Sequence, residues 1–231
     1  MKKITLVLLP GLNGTDGLFQ LLIELKPHDL AIIALNYPTD SLMSYSDLTD
    51  FVLKELKDVK GDYILVGESF SGPLSLFIAQ TNPKALKGVI LVATFITVPH
   101  FKIGMFLPWT LGFYLTKPLY KIRLLLSRNE NKKFIQAISQ ELEKVSPIVL
   151  ADRIKSIFHV DAKDALKACS VPIVYFQGQY DNVVPKKNYK LIQEIKSSSQ
   201  LVSFSTKHFI LQAQPKEAWI AIEKFIDKIK Q

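Results

Sequence analysis

Ser69 stands in a stretch built for nucleophilic chemistry, Tyr63-Ile64-Leu65-Val66-Gly67-Glu68-Ser69-Phe70-Ser71-Gly72-Pro73. An apolar run of strand character leads into it, and apolar residues at helical spacing, Leu74 to Ala79, follow. A strand that turns at once into a helix forces the corner residue into a strained backbone conformation. Gly67 and Ser71, two residues to either side, are small enough to let the two limbs nearly touch. The corner side chain then projects clear of both limbs at a helix N-terminus, which suits a nucleophilic hydroxyl. The bland alternative is a serine in an ordinary strand-to-helix turn.

A neutral serine hydroxyl is a poor nucleophile. It needs a base within hydrogen-bond reach, and the base needs a carboxylate to orient it. Of the four histidines, His28 lies in an early loop, and His100 and His159 lie in a long stretch without strands. His208 alone follows the last expected strand directly, where a loop can reach the corner. Asp181 follows the strand expected at Pro172 to Gln177. Each has a plainer role open to it, Asp181 as a turn former before a helix and His208 as a loop residue. All three nonetheless fall at the carboxyl ends of expected strands, where open α/β sheets place their sites.

The elements that must position these residues are short, mostly apolar runs at Ile4–Leu9, Leu30–Leu35, Tyr63–Gly67, Val89–Val92, Pro172–Gln177 and Gln200–Phe204. Helical segments at Leu18–Leu25, Ser44–Val59, Leu74–Ala79 and Lys186–Lys196, and a closing helix after Pro215, lie between and after them. Nearly uniform apolar strands alternating with helices predict a mostly parallel sheet covered on both faces. The rhythm breaks between Thr97 and Ala168. There His100–Leu126 is apolar and aromatic, and Asn129–Val145 and Pro147–Phe158 are helical in pattern. Ile103–Thr116 carries no charge, but it is too short to span a bilayer and contains Pro108. The expected organisation is one core, residues 1–96 and 169–231, with a helical insertion at 97–168.

The totals agree with one α/β domain: 231 residues, 48% of them hydrophobic. Net charge is +8, carried mainly by lysine, which fits either a solvated basic surface or attraction to an acidic partner. The outer face of the insertion is expected to be basic through Lys117, Lys121, Arg123, Arg128, Lys132, Lys133, Arg153 and Lys155. No helix-turn-helix, zinc pattern or basic cluster interleaved with aromatics points to nucleic acid. A single cysteine, Cys169, rules out an internal disulfide and any multi-cysteine metal site, and is expected to be a buried core thiol. The apolar run after Lys2-Lys3 ends in Pro10-Gly11 with no small-residue cleavage site, so it reads as a first strand. A cytoplasmic location is the default expectation. The loop Pro10 to Gly17 has G-x-x-G-x-x-G spacing and no following Lys-Ser/Thr, unlike a phosphate-binding loop.

Gly67-Glu68-Ser69-Phe70-Ser71 resembles the G-x-S-x-G nucleophile elbow of the α/β-hydrolase family, with Ser71 at the last glycine position and Gly72 one later. The order Ser69, Asp181, His208 is similar to the family's nucleophile, acid, base order. Gly178-x-x-Asp181-x-x-Val184-Pro185 resembles its acid loop, and Lys207-His208-Phe209 the segment before its final helix. The resemblance implies a Ser69–His208–Asp181 triad and an oxyanion hole made by the N–H groups of Phe70 and of Leu12, in the Leu9-Pro10-Gly11 loop. It also implies that residues 97–168 form a lid whose apolar inner face, with Phe106, Trp109 and Phe113, makes the acyl pocket. The activity implied is a serine carboxylic-ester hydrolase working through an acyl-enzyme, with no metal or organic cofactor, on an ester with an apolar acyl chain. The narrower version is a methyl ester of an acyl group carried on an acidic acyl carrier protein. A thioesterase or acyltransferase uses the same triad, and a non-catalytic ligand-binding protein could keep the same fold.

Overall fold

The computed structural model describes residues 4–28, 30–98 and 129–230. The apolar runs form the strands β1 (Ile4–Leu9), β2 (Ala31–Ala34), β3 (Asp62–Glu68), β4 (Leu86–Val92), β5 (Ile173–Gly178) and β6 (Gln200–Phe204). They make one sheet in the order β2-β1-β3-β4-β5-β6, every pairing parallel. β1 and β5 are buried along their whole length, because both faces are covered. The edge strands β2 and β6 are only partly buried.

The chain begins at β1, moves outward to β2, crosses back to β3, and then proceeds the other way to β6. β1 and β3 therefore lie side by side while their following connections leave in opposite directions. A crevice opens at such a switch point, beyond the carboxyl ends of the strands. Leu9 at the end of β1 pairs with Gly67 near the end of β3, so the Pro10 loop and Ser69 open into the same crevice.

Helices seal both faces. On one side lie α2 (Tyr45–Glu55) and α3 (Ser71–Gln80), packing Leu48, Val52, Leu74 and Ile78 against the sheet. Ser44 caps α2 reciprocally with Asp47, and those hydrogen bonds hold the Asp47 carboxyl below its ordinary range. On the other side α1 (Gln20–Glu24) sits beside the closing helix, with Leu22, Trp219 and Phe225 in the core. The helix expected from Leu18 starts instead as a 3₁₀ turn, Asp16–Phe19.

Between β4 and β5 come α4 (Asn129–Glu143), α5 (Pro147–His159) and α6 (Lys163–Ala168). The strand-like structure described in this segment is one isolated antiparallel bridge, Thr97 with Asp161. α6 was not anticipated; it buries Ala165 and Leu166 in the core that also holds α3. α7 (Lys187–Ile195) follows β5. The expected loop before the last helix contains a short helix, α8 (Ile210–Ala213), because Ile210 and Leu211 are drawn into the core. The chain ends in α9 (Pro215–Lys230). Cys169 is buried, as expected. Among the described residues no helix is long and apolar enough to cross a membrane.

The turn from β3 into α3 leaves no room at Gly67. A Cβ there would stand 2.1 Å from Ser75 Oγ and 2.6 Å from the Ser71 carbonyl oxygen, a backbone atom that cannot swing aside. Gly67→Ala should therefore destabilise the chain by about 1–3 kcal/mol. A urea midpoint unchanged from wild type would contradict this packing.

Candidate active site

Ser69 has φ of 50°, in the left-handed region that residues with a Cβ rarely adopt. Its neighbours hold it there. The Ser69 N–H donates to the Val92 carbonyl at 2.9 Å, and its own carbonyl accepts from the Thr94 hydroxyl and from the Gly72 N–H. Gly72 lies so close to Thr94 that a Cβ would fall 2.0 Å from Thr94 Oγ1. Thr94 is fixed in turn by the buried Tyr175 hydroxyl, which donates to its carbonyl at 2.7 Å. Tyr45 braces the next residue, stacking on the Phe70 ring at 4.8 Å and donating to the Phe70 carbonyl at 2.9 Å.

The loops after β5 and β6 bring the two other candidates to this corner. His208 Nδ1 lies 2.8 Å from Asp181 Oδ2, and Nε2 lies 3.0 Å from Ser69 Oγ. A carboxylate only accepts, so Nδ1 carries the proton and Nε2 is left as the acceptor facing the serine hydroxyl. The other oxygen of Asp181 accepts the N–H groups of Val183 and Val184 at 2.8 and 2.9 Å. Both carboxylate oxygens are thus engaged, and the Asp181 side chain is only 2% exposed.

Ser69 and His208 open onto a cavity of about 470 Å³. Gly11 and Leu12 of the β1 loop line one part of it. Ile138 and Leu142 of α4 and Ile154, Ile157 and Phe158 of α5 supply an apolar wall. Glu68 is the acidic residue in the lining. Its carboxyl is buried and accepts from Gln212 Nε2 at 3.0 Å. Among the described residues no cluster of three or more His, Cys, Asp or Glu could hold a metal ion.

No protein-family model matches this sequence, and no curated protein matches it. Solved structures do. A carboxylesterase structure from the thaumarchaeon Nitrososphaera gargenis is 17% identical, with a TM-score of 0.81 over 99% of this chain and 91% of that one. The enol-lactonase of Burkholderia xenovorans LB400 is 12% identical, with a TM-score of 0.80 over 97% and 92%. A thermophilic esterase of Thermogutta terrifontis is 18% identical, with a TM-score of 0.77 over 99% and 90%. The chain has the α/β-hydrolase fold.

Within that fold, the three residues nominated from the sequence, Ser69, Asp181 and His208, lie in one hydrogen-bonded line. His28 is exposed in its early loop, and His159 lies at the far end of α5 with Nδ1 2.9 Å from the Lys155 carbonyl oxygen. Phe106, Trp109 and Phe113, nominated for the pocket, lie outside the described residues, as do His100, Lys117, Lys121, Arg123 and Arg128. One expectation is corrected. Arg153 is not on a basic outer face but is 3% exposed and turned inward onto the β1 loop. The signal was present, since Val149, Arg153 and Ile157 recur at four-residue spacing on one face of α5.

Ser71 also does more than stay small. Its hydroxyl donates to the Pro10 carbonyl and lies 2.7 Å from the Tyr37 hydroxyl, tying the elbow to the β1 loop. Nothing in the sequence distinguishes such a strut from a tolerated small residue.

Burial pushes the Glu68 carboxyl above its ordinary range, opposed by the Gln212 hydrogen bond and the charge of His208. The folded chain therefore holds this proton to higher pH than the unfolded chain does. That favours folding less and less as pH rises from the ordinary glutamate range through the raised value, and the loss is constant beyond it. Glu68→Gln removes the slope. Its melting temperature relative to wild type should climb as pH rises above the ordinary glutamate range, and level off once the raised value is passed. A difference independent of pH would show that the Glu68 carboxyl ionises in the folded chain as it does unfolded.

Proposed function

We propose that this chain is a serine carboxylic-ester hydrolase for esters with an apolar acyl group. The observation that carries the reading is the continuous line Asp181–His208–Ser69 ending at an apolar cavity. Asp181 holds the tautomer in which Nε2 can take a proton. His208 Nε2 accepts the Ser69 proton as Oγ attacks the ester carbonyl, and the carbonyl oxygen becomes an oxyanion. The same proton passes from Nε2 to the leaving alkoxide, releasing the alcohol and leaving the acyl group on Oγ. Water then gives a proton to Nε2 and attacks the acyl carbon, and collapse returns the proton to Ser69 as the acid leaves.

The N–H groups of Leu12 and Phe70 are the proposed oxyanion donors. Neither has an acceptor among the described residues, and Leu12 lines the cavity beside Ser69. Such donors cost nothing to reorganise when charge develops, and one is typically worth about a hundred- to a thousand-fold in rate. In this reading residues 97–168 are the lid, and α4 and α5 supply the acyl wall. The cavity falls within the roughly 300–1,000 Å³ usual for small-molecule sites. Relatives in fold include proteins described as carboxylesterases, an esterase and an enol-lactonase, which agrees with acyl transfer to water.

Ester hydrolysis is tested with p-nitrophenyl esters of increasing chain length. Ser69→Ala and His208→Ala should each lower kcat by about 10⁴-fold or more, and Asp181→Asn by about 10⁴-fold. A wild-type chain that turns over none of these esters, yet binds acyl compounds, would favour a ligand-binding role. The carrier-linked version is supported by the net charge of +8, which suits a strongly acidic carrier. Charge reversal at Lys117, Lys121, Arg123 and Arg128 should then slow hydrolysis of carrier-linked esters and spare small ones. Equal effects on both would remove the carrier.

A further inference from the structure

Arg153 is a buried cation, and the carboxylate whose charge acts on it, that of Asp152 next in sequence, makes no salt bridge with it. Among the described residues it forms no ion pair. Its Nη1 donates to the carbonyls of Leu12 and Asn13 at 3.0 and 2.8 Å, and its Nη2 to the carbonyl of Pro38 at 2.9 Å. The guanidinium carbon stands 5.7 Å from the centre of the Tyr37 ring. Burying a charge is costly, and an apolar residue could fill a helix–loop contact with no such penalty. What an apolar residue could not do is orient peptide groups. The planar fork of arginine binds three carbonyls in a fixed geometry, and two of them belong to consecutive residues of the β1 loop.

The rest of that loop is gripped in the same way. From α4, Glu141 Oε2 accepts the Thr15 hydroxyl at 2.7 Å, and Lys144 steadies the other carboxylate oxygen at 2.6 Å. Asn13 Nδ2 donates to the Thr15 carbonyl at 2.9 Å. The glycine spacing of the loop follows from this grip. A Cβ on Gly14 would lie 2.2 Å from Arg153 Nη1, and one on Gly17 would lie 2.1 Å from Glu141 Oε1. Both glycines are seats for charged side chains from the inserted helices. The Leu12 side chain packs against the small cluster of Val145, Val149 and Leu150 beside them.

We propose that Arg153 is a positioning residue, which holds the backbone of Leu12 and Asn13 so that the Leu12 N–H faces the oxyanion forming at Ser69. The role rests on the hydrolase reading above. Arg153 touches no reacting atom in it, yet it makes α5 part of the apparatus that stabilises the transition state. Interactions stronger in the transition state than in the ground state appear in kcat and not in KM.

The test compares wild type with Arg153→Met and Arg153→Lys on one p-nitrophenyl ester, a trifluoromethyl ketone and the uncharged primary alcohol, all of the same chain length. The ketone adds to the nucleophile and forms a tetrahedral oxyanion, whereas the alcohol carries no anionic oxygen and reports on the acyl pocket. Arg153→Met should lower kcat about a hundred-fold with KM within about threefold. Affinity for the ketone should fall in proportion to kcat/KM, while affinity for the alcohol stays unchanged. Arg153→Lys keeps a cation but not the fork, and should fall between. If Arg153→Met does not fold, the same split between ketone and alcohol is required of Arg153→Lys alone. A folded variant with wild-type kcat, or one that loses ketone and alcohol binding equally, overturns the positioning role and leaves the hydrolase reading intact. A wild-type chain with no Ser69-dependent turnover and no ketone adduct overturns both.

Discussion

The corner at Ser69 is the constraint to which the surrounding structure answers. A left-handed backbone at a residue with a Cβ costs about 1–3 kcal/mol, and persists only where neighbours over-determine it. Here the strand before it carries Gly67 next to its last residue, which admits the backbone of the following helix. The end of the next strand supplies Val92, and the loop just beyond it Thr94, to fix its N–H and carbonyl. Tyr175, a strand further along, fixes Thr94. The strain is thus spread over β3, β4 and β5, the middle of the sheet, where apolar burial is deepest. A sharp corner of this kind needs a rigid sheet beneath it, and the completely buried β5 belongs to that support.

Topology does the remaining placement. With β1 and β3 adjacent and their connections diverging, the crevice beyond their ends is lined by the β1 loop on one side and the elbow on the other. β5 and β6 follow in order and carry Asp181 and His208 toward the same edge. Each loop is short and springs from a paired strand end, so distances near 3 Å between distant sequence positions are held by the sheet rather than by the loops themselves. The apolar wall is different in kind, because it comes from helices inserted between β4 and β5.

Much of this was legible in the sequence, because its signals are periodic or local. Uniform apolar runs mark buried parallel strands, and all six were readable within a few residues of their observed ends. The small residues around Ser69 announced a tight corner. Asp181 and His208 could be nominated because strand ends converge in such sheets. What escaped was of two kinds. Short helices such as α6 and α8 show little periodicity, and buried contacts stabilise them. Arg153 escapes because a charged side chain ordinarily lies on the surface. Its partners are backbone carbonyls, which every residue carries and which leave no trace in side-chain identity. The Ser71 strut was hidden for the same reason, since one of its two partners is a carbonyl.

That strut has a mechanical meaning. One hydroxyl joins Tyr37, the Pro10 carbonyl and the first turn of α3. The loop that would bear the anion and the elbow that would bear the attacking oxygen are therefore tied together, with their separation set by the reach of a single short side chain. A loop exchanged between relatives of this fold would have to bring its own matching residue at position 71. The elbow and the β1 loop are, for evolution as for a protein engineer, a single inherited part encoded in two places.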